Sequence, residues 1–427
     1  MIDETSTSRR QASSRWESVT ICGGGNGAHA LAVVASQNFD GAIDWLVSAD
    51  EKAELLRQGL ASGGLRSTGV ITASADRVRT ISADPAEVIP NADVVIIVVP
   101  AFAHAAVLRR IKPYVSERTA IGCMPTRGGF EFEAAQLAAP RESVRPTLFG
   151  LQTLPWLTRV TTVGRGVHIL ADKPEVVLAA LPASQAPTIA ARISEILGTR
   201  VVETGSFLGL TIGNPGQIIH PGLMYSHFHS WRGEEYEDDS VPRVYADVTD
   251  EMGALVERLS DDAIATARAL EAQSRGALEL QAVVRPIHEW LRTVYGQVIE
   301  DTSSVATCFR TGPIQALRAP MVEIRPGKFV PDFQYRFLSE DVPFGLVVTR
   351  ALAEIAAVET PTIDKVIVWA QSVLQKAYLV GDGLRGPDAE DLPIPQNYGV
   401  STVSDLINWY TKGDTSISPA FADSPSP

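Results

Sequence analysis

The run Ser18-Val-Thr-Ile-Cys-Gly-Gly-Gly-Asn-Gly-Ala-His-Ala30 restricts the possible folds more than any other part of the chain. Val19 to Cys22 suit a strand, and from Ala28 the pattern turns helical. The glycines between them permit a tight turn and close approach of another backbone or a ligand. A helix that starts at such a turn offers unpaired N–H groups and the positive end of its dipole to an anion. Counted from Gly23, the residues read Gly-x-Gly-x-x-Ala through Gly25 and Ala28. That is the spacing of a dinucleotide-binding turn, with alanine accepted in third place. The frame Gly25, Gly27, Ala30 also fits, but Gly23 directly follows the strand and is preferred. Gly24, Asn26 and Gly27 complete the candidate cradle. A glycine-rich turn that binds nothing is the alternative; the strand-to-helix context argues against it.

The pattern after this turn alternates. Ala42 to Val47 reads as a strand and Asp50 to Gln58 as a helix. Asp93 to Pro100 is an apolar run of strand length, as expected of a strand buried on both faces of a parallel sheet. Ala103 to Lys112 is helical in pattern, and Thr119 to Met124 is the next strand. This order predicts an α/β Rossmann-type doubly wound sheet. Strand-like runs at Gly166 to Ala171, Glu175 to Leu181 and Arg200 to Thr204 are too closely spaced for helical crossovers throughout, so part of this region is expected to be antiparallel. Beyond residue 205 the period changes to that of helices, at Asp247 to Leu270, Leu278 to Val298, Gly345 to Val358 and Thr362 to Leu379. The expected organisation is a disordered tail (1–15), a nucleotide-binding domain (16–205), an all-α C-terminal domain (206–412) and a second disordered tail (413–427).

A chain of 427 residues with 45% apolar and 20% charged residues has ample material for two cores. A net charge of −13 disfavours nucleic acid or an anionic membrane as partner. No apolar run is long enough for a bilayer span, and the polar first fifteen residues lack the apolar core of a secretory signal. The three cysteines are far apart and suggest reduced thiols and a cytoplasmic protein.

Four stretches carry candidate chemistry. Asp50 is the nearest acid after the second strand, where a carboxylate accepts from both ribose hydroxyls and repels a 2′-phosphate; this mildly favours NAD, with NADP possible. Capping of the next helix is the other reading of Asp50. Val99-Pro100-Ala-Phe-Ala-His104 follows the long apolar strand and should face a cofactor, or else be a simple turn with His104 exposed. His220, before Pro221, is a candidate acid/base, although a lone histidine is more often structural. His227 and His229 follow it, but no second cluster with ligand spacing supports a metal. Arg336 and Asp341, before a proline-started helix, read as a phosphate-facing cation and a carboxylate that orients a histidine; Asp341 also suits an N-cap. The acidic run Glu234 to Asp239 reads as a solvated loop.

Taken in order, Cys22 to His29, Ala92-Asp-Val-Val, Val99 to His104, Gly129-Phe-Glu-Phe132, Thr153-Leu-Pro-Trp156, His220-Pro221, Arg336 to Pro343, Asp364 to Gln371 and Pro395-Gln-Asn-Tyr-Gly399 resemble the octopine/opine dehydrogenase family over nearly the whole chain. The resemblance implies a Rossmann domain, an all-helical C-terminal domain and reductive condensation of an amino acid with an α-keto acid, commonly pyruvate, by a reduced nicotinamide cofactor. It implies His220 as acid/base, Asp341 as its partner, Arg336 at the cofactor pyrophosphate, and Gln152, Trp156 and Gln217 at the substrate. Relatives that use arginine carry Glu before Thr-Leu-Pro-Trp; this chain has Gln152, which attracts a guanidinium less. A hydroxy-acid dehydrogenase on the same plan and a non-catalytic NAD(H)-responsive protein are the alternatives. The expected partners are small-molecule substrates, with the chain a monomer or homodimer.

Overall fold

The structure is a computed structural model, and it describes residues 15–139 and 146–411. The two expected tails lie outside the described residues, apart from Arg15. The first half contains β1 (Ser18–Cys22), α1 (Asn26–Asn38), β2 (Ala42–Leu46), α2 (Asp50–Ala61), β3 (Arg66–Gly69), β4 (Val78–Ser82), α3 (Pro85–Val88), β5 (Val94–Ile97), α4 (His104–Ile111), β6 (Ala120–Cys123) and α5 (Phe130–Leu137). It continues with β7 (Leu148–Leu151), β8 (Trp156–Thr162), β9 (Gly166–Asp172), β10 (Glu175–Leu181), α6 (Ala186–Leu197) and β11 (Arg200–Thr204).

Eight strands form the main sheet in the order β11-β10-β7-β6-β5-β1-β2-β4. From β4 to β7 all neighbours are parallel; β10 runs antiparallel to β7, and β11 returns parallel to β10. The antiparallel pairing expected among the runs between Gly166 and Thr204 is therefore present, where β10 meets β7 and in the β8–β9 hairpin, which joins β3 in a small second sheet. The chain order reverses on either side of β1, and a ligand crevice opens at the carboxyl ends of strands at such a switch point. Along β5, Val94 and Ile96 join one core, while Val95 and Ile97 join the other. This period-2 alternation explains why the strand reads as a continuous apolar run.

The second half is helical, with α7 (Phe207–Ile212), α8 (Pro215–Phe228), α9 (Asp250–Gln273), α10 (Ile287–Tyr295), α11 (Val305–Arg310), α12 (Arg336–Ser339), α13 (Val347–Ala356), α14 (Pro361–Leu374) and α15 (Val403–Thr411). Thr249 starts the longest of these by accepting from the Met252 N–H. The helix expected from Leu278 begins only at Ile287, because Pro286 lacks the N–H and ring freedom to continue a helix inward. α14 ends five residues early, at Leu374, where Gln375 takes a left-handed backbone. One element departs from an all-α reading: β12 (Met321–Arg325) and β13 (Lys328–Pro331) form a hairpin on this half.

The core of the second half is continuous with one face of the main sheet, so Phe130, Phe132 and Leu148 share a cluster with Leu259, Val347 and Ile363. The other face is covered by α1 and α6 and holds Trp45 and Phe149. No helix among the described residues is long and apolar enough to cross a membrane.

Candidate active site

At the crevice, β1 ends and Gly23 turns the chain with φ of +140°; a Cβ there would lie 2.3 Å from the Val98 carbonyl oxygen. Only glycine satisfies both constraints. The Trp45 indole N–H donates to the Gly23 carbonyl and fixes the turn from β2. Gly24, Gly25 and Asn26 are exposed above it. Gly25 is the N-cap of α1 and supplies no capping side chain, and a Cβ there would meet nothing within 4 Å. Behind it, Gly27 packs against Val98 and Leu154, and Ala28 is buried. His29 Nε2 accepts from the Gly164 N–H at 3.0 Å, which puts its proton on Nδ1, 2.9 Å from the Gly25 carbonyl it donates to. Burial pushes the His29 pKa down, so the ring is held neutral as a structural tie. The Asn26 side-chain oxygen accepts from Val160 N–H in β8. A turn that is tight beneath and open above, leading into an uncapped helix of thirteen residues, fits the pyrophosphate of a dinucleotide.

Asp50 is exposed as the first residue of α2, and Ala49 holds the N-cap position; capping is therefore not the work of Asp50. Ser48, closer to the strand end, accepts a hydrogen bond from Lys52 at 3.0 Å.

The second group of residues forms across the crevice. Asn214 caps α8 by accepting from Gly216 N–H at 2.9 Å, and Pro215 occupies the first helical position, where its missing N–H costs nothing. This sets His220 one turn and a half into the helix. Its Nδ1 donates to Asp341 Oδ2 at 2.7 Å, although the two residues are 121 positions apart. The Phe337 ring stacks on the imidazole with centroids 4.0 Å apart. Asp341 stands at the N-cap position of a short π-helical turn but caps nothing with its side chain, which is wholly buried.

Arg127 approaches from the segment after β6. Its Nη1 lies 3.0 Å from Asp341 Oδ1 and donates to Asn214 Oδ1 at 2.8 Å, and its Nε is 3.4 Å from Glu340 Oε1. Glu340 Oε1 also accepts from Ala101 N–H at 3.0 Å, on the loop after β5, and its Oε2 lies 2.9 Å from Arg336. A chain of alternating charge, Arg336–Glu340–Arg127–Asp341–His220, thus runs from the exposed edge into the buried dyad. Burial pushes the Asp341 carboxyl up, but the Arg127 charge and the His220 hydrogen bond outweigh it and hold the group below the usual carboxylate range.

The fold therefore unites His220, Asp341 and Arg336, and sets Pro100 beside them through Ala101. Gln152 is buried nearby: its amide nitrogen donates to the Gly213 carbonyl, and its backbone carbonyl accepts from Asn214. Two expected substrate residues sit differently. The Gln217 amide donates to the Thr211 and Ile212 carbonyls and the Thr349 hydroxyl, inside the helical half. Trp156 is buried in the core against α1, with its indole N–H unpartnered among the described residues. His104 is buried rather than exposed, 3.2 Å from the Cys123 thiol and edge-on to Phe130. His227 donates to the Val244 carbonyl, and His229 stacks on Tyr225. The acidic run is not merely solvated: Glu235 and Glu237 pair with Arg325 and Lys328 of the β12–β13 hairpin, and Asp238 pairs with Arg318 just before it. Arg127 was not legible as a site residue from its type, but it follows the carboxyl end of a central strand, the same rule that marks Pro100.

A family model described as the alpha-helical domain of NAD/NADP octopine/nopaline dehydrogenase matches residues 203–374. The chain is 34% identical to an opine dehydrogenase of Haliotis discus hannai over 403 residues, 91% of this chain and 98% of that protein. The chain belongs to the opine dehydrogenase family. It is 33% identical to a tauropine dehydrogenase of Arabella iricolor, again over 91% of this chain and 99% of the relative. A solved octopine dehydrogenase holding NADH and pyruvate superposes with a TM-score of 0.80 at 27% identity, over 92% of this chain and 98% of that one. The chain is accordingly an NAD(P)-dependent oxidoreductase of the kind that acts on CH–NH donors.

Proposed function

We propose that this opine dehydrogenase condenses a neutral amino acid or a small amino sulfonate with pyruvate, with His220 as the acid/base and Asp341 as its partner. The observation that carries this reading is the 2.7 Å contact from His220 Nδ1 to Asp341 Oδ2, which leaves Nε2 as the nitrogen for the reacting atoms. In the reductive direction the amine adds to the keto carbon. Protonated His220 then gives its proton to the departing hydroxyl, which leaves as water. In the oxidative direction the neutral ring takes a proton from the water that attacks the imine. When bound, the reduced nicotinamide supplies the hydride; the turn shaped by Gly23, Gly25 and Ala28 would hold its pyrophosphate over the exposed Gly24, Gly25 and Asn26, Arg336 would face the same phosphates, and Asp50 favours NAD over NADP. Gln152 in place of a carboxylate disfavours arginine as the amine. The buried thiols of Cys22, Cys123 and Cys308 support a cytoplasmic setting, and we place the working unit at a monomer or homodimer.

The test is a panel of amino acids and taurine with pyruvate, followed by loss of NADH or NADPH, for the wild type and His220→Ala. The variant should bind NADH normally and lose about 10²–10⁴-fold in turnover. Near-wild-type turnover in His220→Ala, or arginine giving the highest kcat/KM, would overturn the corresponding part of the proposal.

A further inference from the structure

Arg127 belongs by sequence to the nucleotide-binding half, between β6 and α5, yet its guanidinium ends among side chains of the helical half. It is only 7% exposed. Asn214 holds it from one side, and the Asn214 amide in turn donates to the Thr126 carbonyl at 2.9 Å, next to Arg127 in the chain. Gly216 leaves it room: a Cβ there would be 2.6 Å from Nη1. The Asp341 carboxylate is therefore divided between an imidazole and a guanidinium, with Oδ2 facing His220 and Oδ1 facing Arg127.

We propose that Arg127 is a positioning residue that sets, through Asp341, how tightly His220 holds its proton. A carboxylate that faces only an imidazole stabilises the imidazolium with its full charge. A permanent cation 3.0 Å from the second oxygen reduces that stabilisation through its charge. The ring then releases its proton more readily than a simple His–Asp pair would. The other ionisable neighbours of Asp341 are Glu340 beside it, Arg336 on α12 and Tyr245 before α9, which itself faces Tyr295 and Tyr335. Arg336 is half exposed and tied to Glu340, so its influence is screened. Arg127 is buried and touches the carboxylate directly. Because it comes from the other half of the molecule, His220 acquires its working proton affinity only where the two halves meet.

The proposal takes its catalytic meaning from His220 as acid/base, but its first readout needs no turnover. The His220 ring would be titrated by NMR in full-length protein with labelled histidine, assigned by comparison with His220→Ala. In Arg127→Gln the midpoint should rise by about one pH unit. Arg127→Lys keeps a charge in the core, and so the fold, but lacks the planar fork; it should rise less, in the same direction. A folded variant of either kind whose midpoint stays put or falls overturns the proposal. In kinetics, Arg127→Gln should lose about tenfold in oxidative kcat/KM on the acid limb and recover it as pH rises, with KM for the nicotinamide cofactor little changed. A wild type inactive on every amine in the panel would remove the proposed function while leaving the NMR test standing.

Discussion

Gly23 and Gly25 are two residues apart and are glycine for opposite reasons. At Gly23 the protein itself forbids a side chain: φ is +140° and the Val98 carbonyl occupies the space. At Gly25 the protein leaves the space empty, so any cost of a side chain falls on whatever sits over the turn. Gly25→Val should therefore retain most of its melting temperature but lose NADH binding by calorimetry, whereas Gly23→Ala should lose stability whether or not NADH is present. Unchanged NADH affinity in Gly25→Val would remove the assignment of this turn. The turn was legible in the sequence because glycine spacing is a local signal. The dyad was not legible in the same way: His220 and Asp341 are united by helix packing, and only the resemblance to a family joined them in advance. Arg127 escaped both routes, since nothing in its immediate sequence reports that Asn214 and two carboxylates surround it.

Among the elements, α5 shows how a short helix is held by distant chain. Glu131 on α5 is fully buried, and its Oε1 accepts from the Thr211 hydroxyl at 2.7 Å and the Tyr410 hydroxyl at 2.8 Å. Phe132 beside it packs on Trp409 with ring centroids 4.5 Å apart. Burial pushes the Glu131 carboxyl up to about 7, and the neighbouring Glu133 likewise to about 7. A folded-state pKa above the ordinary 4.5 means that the folded protein keeps a proton the unfolded chain releases. The contribution of this carboxyl is therefore fully present below pH 4.5 and is lost as pH rises through about 7, by at most about 3 kcal/mol for Glu131. Thermal melts between pH 5 and pH 8 should show this slope, and Glu131→Gln should reduce it, leaving the part due to Glu133. An identical slope in Glu131→Gln would show that the slope arises elsewhere. Helix existence was legible from period, but ends were set by single residues such as Pro286 and Gln375. The β12–β13 hairpin was missed because its strands are only five and four residues long and sit among helical segments, although Val322-Glu-Ile-Arg325 alternates and Arg325-Pro-Gly-Lys328 carries a turn signal.

At the scale of the whole molecule, the two halves meet through charge as well as packing. Glu340 reaches the Ala101 N–H and Arg127 on one half while holding Arg336 on its own. A pyrophosphate over Gly25 would compete with Glu340 for Arg336, so cofactor should tighten the contact between halves before substrate enters. X-ray scattering with and without NADH should show compaction of the wild type, and Arg336→Ala should weaken NADH binding by about tenfold and lose the compaction. No compaction in the wild type would count against closure. The two-part architecture was legible because period 2 alternating with helices gives way to period 3.6 alone near residue 205. That the parts share one continuous core was not, since contacts such as Phe132 with Trp409 join distant ends of the chain. Those contacts also order events during synthesis. α5 leaves the ribosome long before its covering helix α15 is made. Until α15 is made, Phe132 lacks its contact with Trp409 and Glu131 lacks the Tyr410 hydroxyl. A ribosome stalled before residue 403 would hold a protein whose glycine turn is formed and whose core is still open to chaperones and proteases.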